Sequence, residues 1–340
     1  MKTEFNSVTL SNDLKKKIKG KVLFDEFSRG RYSTDASLYQ IKPIGVVLPK
    51  DQFDVLNIIE YSQKNSIPLL ARGGGSSQCG QTVGECIVLD YSKYQNKILE
   101  FNAKEKFVWV EPGIVLDQLN EYLKPHGLWF PVDVSTSSRA TIGGMTGNNS
   151  CGSRSLYYGN MVNNVLAVES ILDDGSIHTF ENIDKNYLSK TNDQNRKFQI
   201  IKKCIDIREQ VENEINEHWP KTQRRVGGYN IDLINPNGFN ASNILVGSEG
   251  TLSLFNKIKL KLSEIPKKKI LGVCYFEKFH EAMTLTREMV KLKPTTVELM
   301  DKNLLDLAKE IPIYADGIKK YVIGDPKAVL MVEFIDNDLN

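Results

Sequence analysis

The sequence predicts a mixed α+β protein of about two domains, and three observations lead to this class. The chain has 340 residues, enough for two domains that each bury a core. Apolar strands alternate with amphipathic helices from residue 45 to residue 261. After Pro266 the alternation starts again, which predicts a domain boundary at this proline.

Composition and charge exclude several classes of protein. Lys plus Arg is 44 and Asp plus Glu is 42, which gives a net charge of +2. Nucleic-acid binders need a surplus of basic residues on one face, so we expect no nucleic-acid partner. No apolar run has the length of a signal peptide or a membrane span, so we expect no targeting segment. The five cysteines are odd in number and form no C-x-x-C pair, which predicts reduced thiols and a cytoplasmic protein.

The first predicted unit is a strand–helix–strand arrangement that follows an N-terminal arm. We predict the arm, with a short helix, over residues 1–38, and its lysine run as a solvated face. Asp51 stands at a helix N-cap, and Asp54 three residues later comes close to a capping box. The predicted elements are a strand at Val46–Leu48, a helix ending at Lys64, and strands at Pro68–Ala71 and Cys86–Leu89.

The second predicted unit alternates strands and helices up to residue 261. An Asp174-Gly175 turn predicts a β-hairpin. Gly247–Gly250 is expected to be a turn between two strands. The predicted elements are strands at Phe107–Val110, Val162–Leu172 and Ile177–Phe180, helices at Val115–Leu123 and Phe198–Glu217, and two strands within Asn243–Lys261.

The third predicted unit follows Pro266 and has a βαβαβ pattern. Its elements are strands at Ile270–Phe276, Thr295–Leu299 and Ala328–Phe334, with helices at Phe279–Leu292 and Leu304–Lys309. A pattern that stops at this point leaves an open sheet edge, which folded domains avoid. We therefore expect the chain to be a fragment, or one half of a split protein.

A glycine-rich loop, Arg72–Gln81, follows the second strand. Three consecutive glycines can expose backbone N–H groups in a concave turn that binds phosphate oxygens. The loop is not a Rossmann fingerprint, because Gln78 replaces the third glycine and a strand follows. It is not a P-loop either, because Gln81 replaces the required lysine.

Two further segments are rich in small residues. Pro131–Gly159 is too long and too rich in Gly, Ser and Asn for a plain connection, and small residues let the backbone approach a flat ligand. Gly247–Leu252 forms a tight turn that lacks the G-x-S-x-G pattern of a nucleophile elbow.

Arg72–Ser77, Arg139–Arg154 and Gly247–Leu252, in this order and spacing, resemble the FAD-binding domain of the vanillyl-alcohol-oxidase (PCMH-type) flavoproteins. The sequence is most similar to the D-lactate, glycolate and D-2-hydroxyglutarate dehydrogenases, especially large bacterial members fused to an iron–sulfur region. The resemblance implies a PCMH-type FAD-binding domain of two α/β subdomains over residues 39–266. It also implies the beginning of an α/β substrate cap over residues 267–340.

The resemblance assigns FAD contacts to residues in all three motifs and in the stretch after the second. These residues are Arg72, Gly73, Gly74, Gly75, Ser76, Ser77, Gly80, Gln81, Asp133, Ser135, Thr141, Gly143, Gly144, Asn149, Gly152, Ser153, Tyr158, Gly159, Val165, Glu249 and Gly250. Tyr158 has core packing as its alternative role. Ser76 and Ser77 stand where relatives with covalent flavin carry a histidine, so we expect non-covalent FAD. Cys79 and Cys151 are the alternative attachment sites.

The activity implied by the resemblance is oxidation of a D-2-hydroxy acid, with hydride transfer to flavin N5. The electron acceptor would be a quinone, a cytochrome or an electron-transfer flavoprotein rather than NAD, and contact with it could place the protein peripherally at the inner membrane. The sequence does not identify a catalytic residue. Its four histidines lack metal-ligand spacing, so we predict no metal site in this chain. Any divalent metal, iron–sulfur cluster and substrate half of the active site would lie beyond Asn340, where a separate chain could supply them.

Two alternative functions remain open. The first is a flavin-binding or electron-transfer module without substrate chemistry of its own, which the early end of the chain favours. The second is a reductase of the same fold that passes hydride from NADPH through flavin to an enol ether. The segment Arg139–Met145 and the dehydrogenase-like start of the cap count against the reductase.

Overall fold

The computed structural model describes residues 7–190 and 195–336. Residues 1–6 of the predicted arm and residues 337–340 of the predicted cap lie outside the described residues. Within the described part, the chain forms sheets of four, six and three strands, together with a two-stranded pair. The predicted α+β class, a mixture of helices and sheets, is confirmed.

The first unit is a four-stranded sheet in the order β1-β2-β4-β3, with β2, β4 and β3 parallel. The strand β1 lies within the predicted arm and pairs antiparallel with β2, so the described part of the arm belongs to the sheet. Helices α1 and α3 cover one face, where Leu14 and Ile58 are fully buried. The elements are α1 (Ser7–Lys17), β1 (Lys21–Leu23), α2 (Glu26–Arg31), β2 (Gly45–Leu48), α3 (Gln52–Asn65), β3 (Leu69–Arg72) and β4 (Ile87–Asp90).

The start of α3 follows the predicted N-cap but not the predicted capping box. The Asp51 side chain accepts hydrogen bonds from the backbone N–H groups of Phe53 and Asp54. The buried Asp54 carboxylate accepts from the N–H groups of Lys19, Gly20 and Lys50, each at 2.8 Å. A capping box would return to the N–H of Asp51 itself. Asp54 therefore ties the N-terminal segment to the sheet.

The second unit is a six-stranded antiparallel sheet in the order β10-β9-β8-β11-β6-β5. Helices α4, α5 and α9 contribute Leu119, Ile142 and Ile201 to its core. The elements are β5 (Ile98–Asn102), β6 (Phe107–Val110), α4 (Leu116–Leu123), β7 (Leu128–Trp129), α5 (Ile142–Gly147), α6 (Ser155–Tyr158), α7 (Met161–Asn164), β8 (Val165–Ile171), β9 (Ile177–Asp184), α8 (Tyr187–Lys190), α9 (Arg196–Gln210), α10 (Glu212–His218), β10 (Gly238–Asn240), β11 (Leu254–Lys261) and β12 (Ser263–Glu264).

The prediction of two strands within Asn243–Lys261 is wrong. Only β11 is a strand, and a 3-10 helix over Ala241–Ile244 precedes the turn. The Asn240 side chain accepts a hydrogen bond from the Ser242 N–H and starts this helix, a local competition that apolar periodicity does not show. The predicted helix Phe198–Glu217 is also divided, since α9 ends at Gln210 and α10 begins at Glu212.

The third unit is a three-stranded antiparallel sheet in the order β13-β15-β14. Its helix-covered face buries Ala282, Leu330 and Val332. The helix α13 was not predicted, and none of its residues is buried. The elements are β13 (Lys268–Phe276), α11 (Phe279–Lys291), β14 (Thr296–Asp301), α12 (Lys302–Glu310), α13 (Pro312–Tyr321) and β15 (Ala328–Asp336).

Candidate functional site

A cleft of about 940 Å³ is bounded by all three units. Its walls come from the loop after β3, from α5 with its flanking segments, from the turn before β11, and from Glu298 on β14. The β3 loop lies at the carboxyl end of parallel strands, the edge where α/β sheets bind ligands. Small-molecule pockets span roughly 300–1,000 Å³, so this cleft has the size for a large cofactor.

Sixteen of the predicted site residues line the cleft. They are Arg72, Gly73, Gly74, Gly75, Ser76, Ser77, Gln81, Asp133, Ser135, Thr141, Gly143, Gly144, Gly152, Ser153, Glu249 and Gly250. Their positions span residues 72 to 250, so the fold gathers three distant motifs around one cavity.

The other five predicted residues do not line the cleft. Gly80 has a φ of +81° and packs near Tyr39. Gly159 ends α6 with a φ of +78°. The Tyr158 ring lies edge-on to Trp129 at a centroid distance of 5.5 Å, and Trp129 lines the cleft in its place. Val165, in β8, is 1% exposed.

Asn149, the fifth of these residues, lies beneath the cleft with no exposed surface. Its φ is +48°, a left-handed conformation that asparagine tolerates better than most residues. Its side-chain oxygen accepts a hydrogen bond from the Val162 N–H at 3.0 Å, and its amide nitrogen lies 3.5 Å from the Asn230 side-chain oxygen. Asn149 therefore joins the segment after α5 to the start of α7.

The glycine loop packs closely on the segment that precedes α5. A Cβ atom on Gly73 would lie 2.0 Å from Thr141 Oγ1, and one on Gly74 would lie 2.3 Å from the Arg139 carbonyl oxygen. Gly75 has a φ of +63°. Side chains at the first two positions would force the two segments apart, so the loop requires its glycines for close approach.

Arg72 supports the loop from behind. Its guanidinium donates hydrogen bonds to the carbonyl oxygens of Thr82 at 3.0 Å and Thr34 at 2.8 Å. It also lies 5.2 Å from the centre of the Tyr32 ring. Burial lowers the pKa of this guanidinium. The Arg72 side chain thus joins the loop that contains Thr82 to the segment that contains Thr34.

Asp133 organises the turn at residues 152–154. Its carboxylate accepts hydrogen bonds from Ser153 Oγ at 3.0 Å and from the Arg154 N–H at 3.1 Å. A Cβ atom on Gly152 would lie 2.0 Å from the Asp133 carbonyl oxygen, so this contact also requires glycine. The Asp133 carboxylate therefore bonds to other groups of the protein and holds this part of the cleft wall in place.

The Glu249–Gly250 turn is fixed to the end of α5. The Gly247 N–H donates to the Thr146 carbonyl oxygen at 3.0 Å, and the Glu249 N–H donates to the Gly147 carbonyl oxygen at 2.9 Å. The Glu249 side chain accepts a hydrogen bond from Gln81 Nε2 at 3.3 Å. This bond connects the turn to the glycine loop across the cleft.

Several cleft residues were missed by the sequence reasoning. They include Tyr91, Trp129, Asn148, Arg154, Arg224, Val226, Ser253 and Glu298. Arg154 stands inside the second motif, and the run Arg224–Tyr229 contains a glycine pair that could have drawn attention to it. Tyr91 and Glu298 carry no such signal, because Tyr91 directly follows a strand and Glu298 stands within one.

Two of these residues test whether the cleft suits a polar cofactor. Tyr91 and Ser253 are 4% and 8% exposed, and their hydroxyl groups have no hydrogen-bond partner among the described residues. Buried hydroxyl groups are ordinarily paired, because leaving one unpaired costs free energy. Burial raises the pKa of Tyr91, which stays a neutral donor. The glycine loop and these hydroxyls fit a ligand with phosphate and ring oxygens, as FAD has.

Two families of known domains match the chain. Residues 43–181 match the FAD binding domain, and residues 265–339 match the C-terminal domain of the FAD linked oxidases. Two solved structures of alkyldihydroxyacetonephosphate synthase, in different crystal forms, superimpose with TM-scores of 0.69 and 0.68 at 17% and 18% identity. Each alignment covers 98% of this chain and 57% of the synthase, and it shows a shared fold.

Similar sequences are longer than this chain. The D-2-hydroxyglutarate dehydrogenase of Haemophilus influenzae is 34% identical over 325 residues, and that of Escherichia coli K12 is 34% identical over 317 residues. Each alignment covers 90% of this chain and 31% of the relative, so the chain spans about a third of their length. A D-lactate dehydrogenase of Archaeoglobus fulgidus is 29% identical over 269 residues, which cover 78% of this chain and 49% of the relative. Residues 43–181 therefore form a FAD binding domain, residues 265–339 match the C-terminal domain of the FAD linked oxidases, and the cofactor is FAD.

Proposed function

We propose that the chain is a FAD-dependent dehydrogenase that oxidises a D-2-hydroxy acid and passes electrons to an acceptor other than NAD. The observation that carries this proposal is the single cleft into which the three motifs converge. Relatives at 34% identity named D-2-hydroxyglutarate dehydrogenase support the substrate class. When bound, FAD accepts a hydride at N5, while the protein supplies orientation and electrostatics.

We assign the cleft residues to two roles. Backbone N–H groups of Gly73–Ser77 would hold the pyrophosphate, and the segment around Gly143 and Gly152 would hold the rest of the cofactor. Tyr91 and Ser253 join the predicted contacts as hydroxyl donors. Arg72 and Asp133 hold the walls of the cleft in place through the hydrogen bonds described above. The five predicted residues that do not line the cleft support the residues that do.

The cofactor assignment is tested by the visible absorption spectrum of the purified chain, before and after acid precipitation. We expect a flavin spectrum whose colour moves to the supernatant, because no attachment through Cys79 or Cys151 is proposed. Colour in the pellet would show covalent attachment. A colourless chain that also takes up no added FAD would refute the cofactor site.

The reaction class is tested by adding substrates to the FAD-loaded chain without oxygen. We expect D-lactate or D-2-hydroxyglutarate to bleach the visible absorbance of the flavin, and NADPH to leave it unchanged. Bleaching by NADPH would instead support the reductase.

Thiol labelling tests the cleft by an independent route. Cys79 is exposed, and both Cys79 and Cys151 line the cleft, whereas Cys86 is buried in β-sheet packing. Burial raises the pKa of the Cys86 thiol to about 12, so almost no thiolate is present at pH 8. We expect iodoacetamide to label Cys79 in the apo chain and to label it at least about tenfold more slowly with FAD bound, while Cys86 stays unlabelled in both states. Mass spectrometry of the peptides measures this, and equal labelling of Cys79 with and without FAD would contradict the assignment.

A flavin or electron-transfer module remains the second candidate, because the chain spans about a third of the D-2-hydroxyglutarate dehydrogenases it matches. A chain that holds FAD but is bleached by no hydroxy acid until a second polypeptide is added would establish it. Among the described residues no group of three or more His, Cys, Asp or Glu side chains is placed to hold a metal ion. The divalent metal, the iron–sulfur cluster and the identity of the acceptor stay predictions.

A cytoplasmic location is part of the proposal. Its support is that all five cysteines are free thiols, as a reducing compartment favours. In the part of the chain that the structure describes, none of the helices has both the length and the apolar character needed to cross a membrane.

A further inference from the structure

Three arginines line the cleft, and two of them are already matched by protein groups. Arg72 donates to the backbone carbonyl oxygens described above. Arg154 lies 3.7 Å from an Asp133 carboxylate oxygen and 3.6 Å from one of Glu333 on β15. Arg72 therefore stabilises the loops around it, and Arg154 stabilises the contact between the FAD binding domain and the third unit.

Arg224 is different from these two. Its Nη2 donates to Cys151 Sγ at 3.3 Å, and no carboxylate of the described residues lies within ion-pair distance of it. Its neighbour Arg225 forms a 2.6 Å ion pair with Asp232, lies 5.0 Å from the centre of the Trp219 ring and is outside the cleft lining. Of two consecutive arginines, one is structural and the other presents an unmatched positive charge to the cleft.

The segment that contains Arg224 packs against α6, and α6 contacts β14 of the third unit. The adjacent Gln223 donates from Nε2 to the Leu156 carbonyl oxygen at 2.9 Å, which fixes this segment against α6. Two residues before Leu156, Arg154 reaches Glu333 of the third unit. The glycine loop packs instead on Arg139 and Thr141, so the proposed pyrophosphate site is on a different wall.

The third unit adds a carboxylate to the same cleft. Glu298 is the residue of β14 that lines it, and no other lining residue comes from the described part of this unit. An anion entering between the domains would be repelled by Glu298 and attracted by Arg224. The charges thus direct a carboxylate group to one side of the cleft.

We propose that Arg224 binds the carboxylate of the hydroxy-acid substrate. This inference rests on the proposed function and extends it to the group that orients the substrate. A guanidinium presents a planar fork of donors that matches a carboxylate in two parallel hydrogen bonds. The thiol of Cys151 is a weak acceptor, so a carboxylate replaces it readily while the rest of the arginine stays in place.

The test compares two ligands of similar size, one charged and one neutral. Pyruvate has a carboxylate where pyruvamide has a neutral amide, and neither has a hydroxyl-bearing carbon that the flavin could oxidise. Each is titrated into the FAD-loaded chain while the flavin absorbance and fluorescence are followed, and 2-oxoglutarate serves as a larger carboxylate. We expect pyruvate or 2-oxoglutarate to bind at least about tenfold more tightly than pyruvamide.

Arg224→Met is expected to remove this preference for the carboxylate, with about 10- to 100-fold weaker binding of the anions and little change for pyruvamide. Arg224→Lys should retain part of the preference, because the charge stays and the fork is lost. Arg287→Met, on the exposed side of α11, removes one positive charge elsewhere and should leave all affinities unchanged.

Each contrary result has a definite meaning. Reduced FAD occupancy in Arg224→Met, with unchanged anion binding in the loaded fraction, would overturn the inference and assign Arg224 to the cofactor. A wild-type flavin that responds to none of the three ligands would also overturn it. The proposed function itself would be contradicted by other results, namely a chain that binds no FAD or a flavin that NADPH bleaches.

Discussion

Replacing Gly74 by valine is expected to abolish FAD retention. A Cβ atom at this position would lie 2.3 Å from the Arg139 carbonyl oxygen, and a backbone atom cannot turn aside as a flexible side chain can. The loop must therefore leave the segment before α5, which removes the backbone N–H groups from their positions around the phosphates. Overpacking of this kind costs about 1–3 kcal/mol, and a loss near 3 kcal/mol weakens binding more than 100-fold.

The ratio of flavin to protein absorbance after gel filtration measures the effect. Gly317→Val is the matched control, because Gly317 lies in α13 with no atom near its Cβ position, and valine is tolerated in a helix better than glycine. Gly317→Val should retain FAD fully. If Gly74→Val keeps full occupancy, the glycine loop is not the pyrophosphate site.

Replacing Asn149 by alanine is expected to lower the free energy of unfolding by about 3 kcal/mol. Alanine loses the oxygen that accepts from the buried Val162 N–H, and an unpaired buried donor costs about 1–3 kcal/mol. Alanine also tolerates the φ of +48° less well than asparagine does, by roughly 1 kcal/mol. Urea denaturation of the chain without added FAD measures the loss.

Asn149→Gly separates the two contributions, because glycine adopts a positive φ without strain but supplies no acceptor. We expect it to destabilise the chain by about 2 kcal/mol, less than alanine does. Asn149 was predicted from the family resemblance as a FAD contact, and the structure buries it beneath the cleft. Unchanged unfolding together with weakened FAD binding in Asn149→Ala would support the predicted contact with FAD instead.

Local patterns predicted most elements of the fold for a simple physical reason. The apolar run Val46–Leu48 and the helical stripe following Asp51 are set by residues close together in the sequence, so they can be read without the tertiary structure. The edge strand β5 was not predicted. Leu99 is 43% exposed, and the pairing of β5 with β6 is irregular between Ile98 and Glu100, so the strand has no regular apolar face. The 3-10 helix before Gly247 was missed because a side-chain cap decides it, and α13 because it buries none of its residues.

The sequence by itself determined the kind of site. Consecutive glycines after a strand, the Gly- and Asn-rich segment after residue 131 and the Gly247–Gly250 turn carry the backbone freedom that close approach to a cofactor requires. Only the tertiary structure decided which side chains reach the cavity and which hold it in shape. Arg72 and Arg224 are the same residue type, yet one donates to carbonyl oxygens behind the loop and the other faces the cleft beside Cys151. Glu298 enters from a separate sheet, because contacts between residues far apart in sequence depend on how the units pack and not on any local pattern.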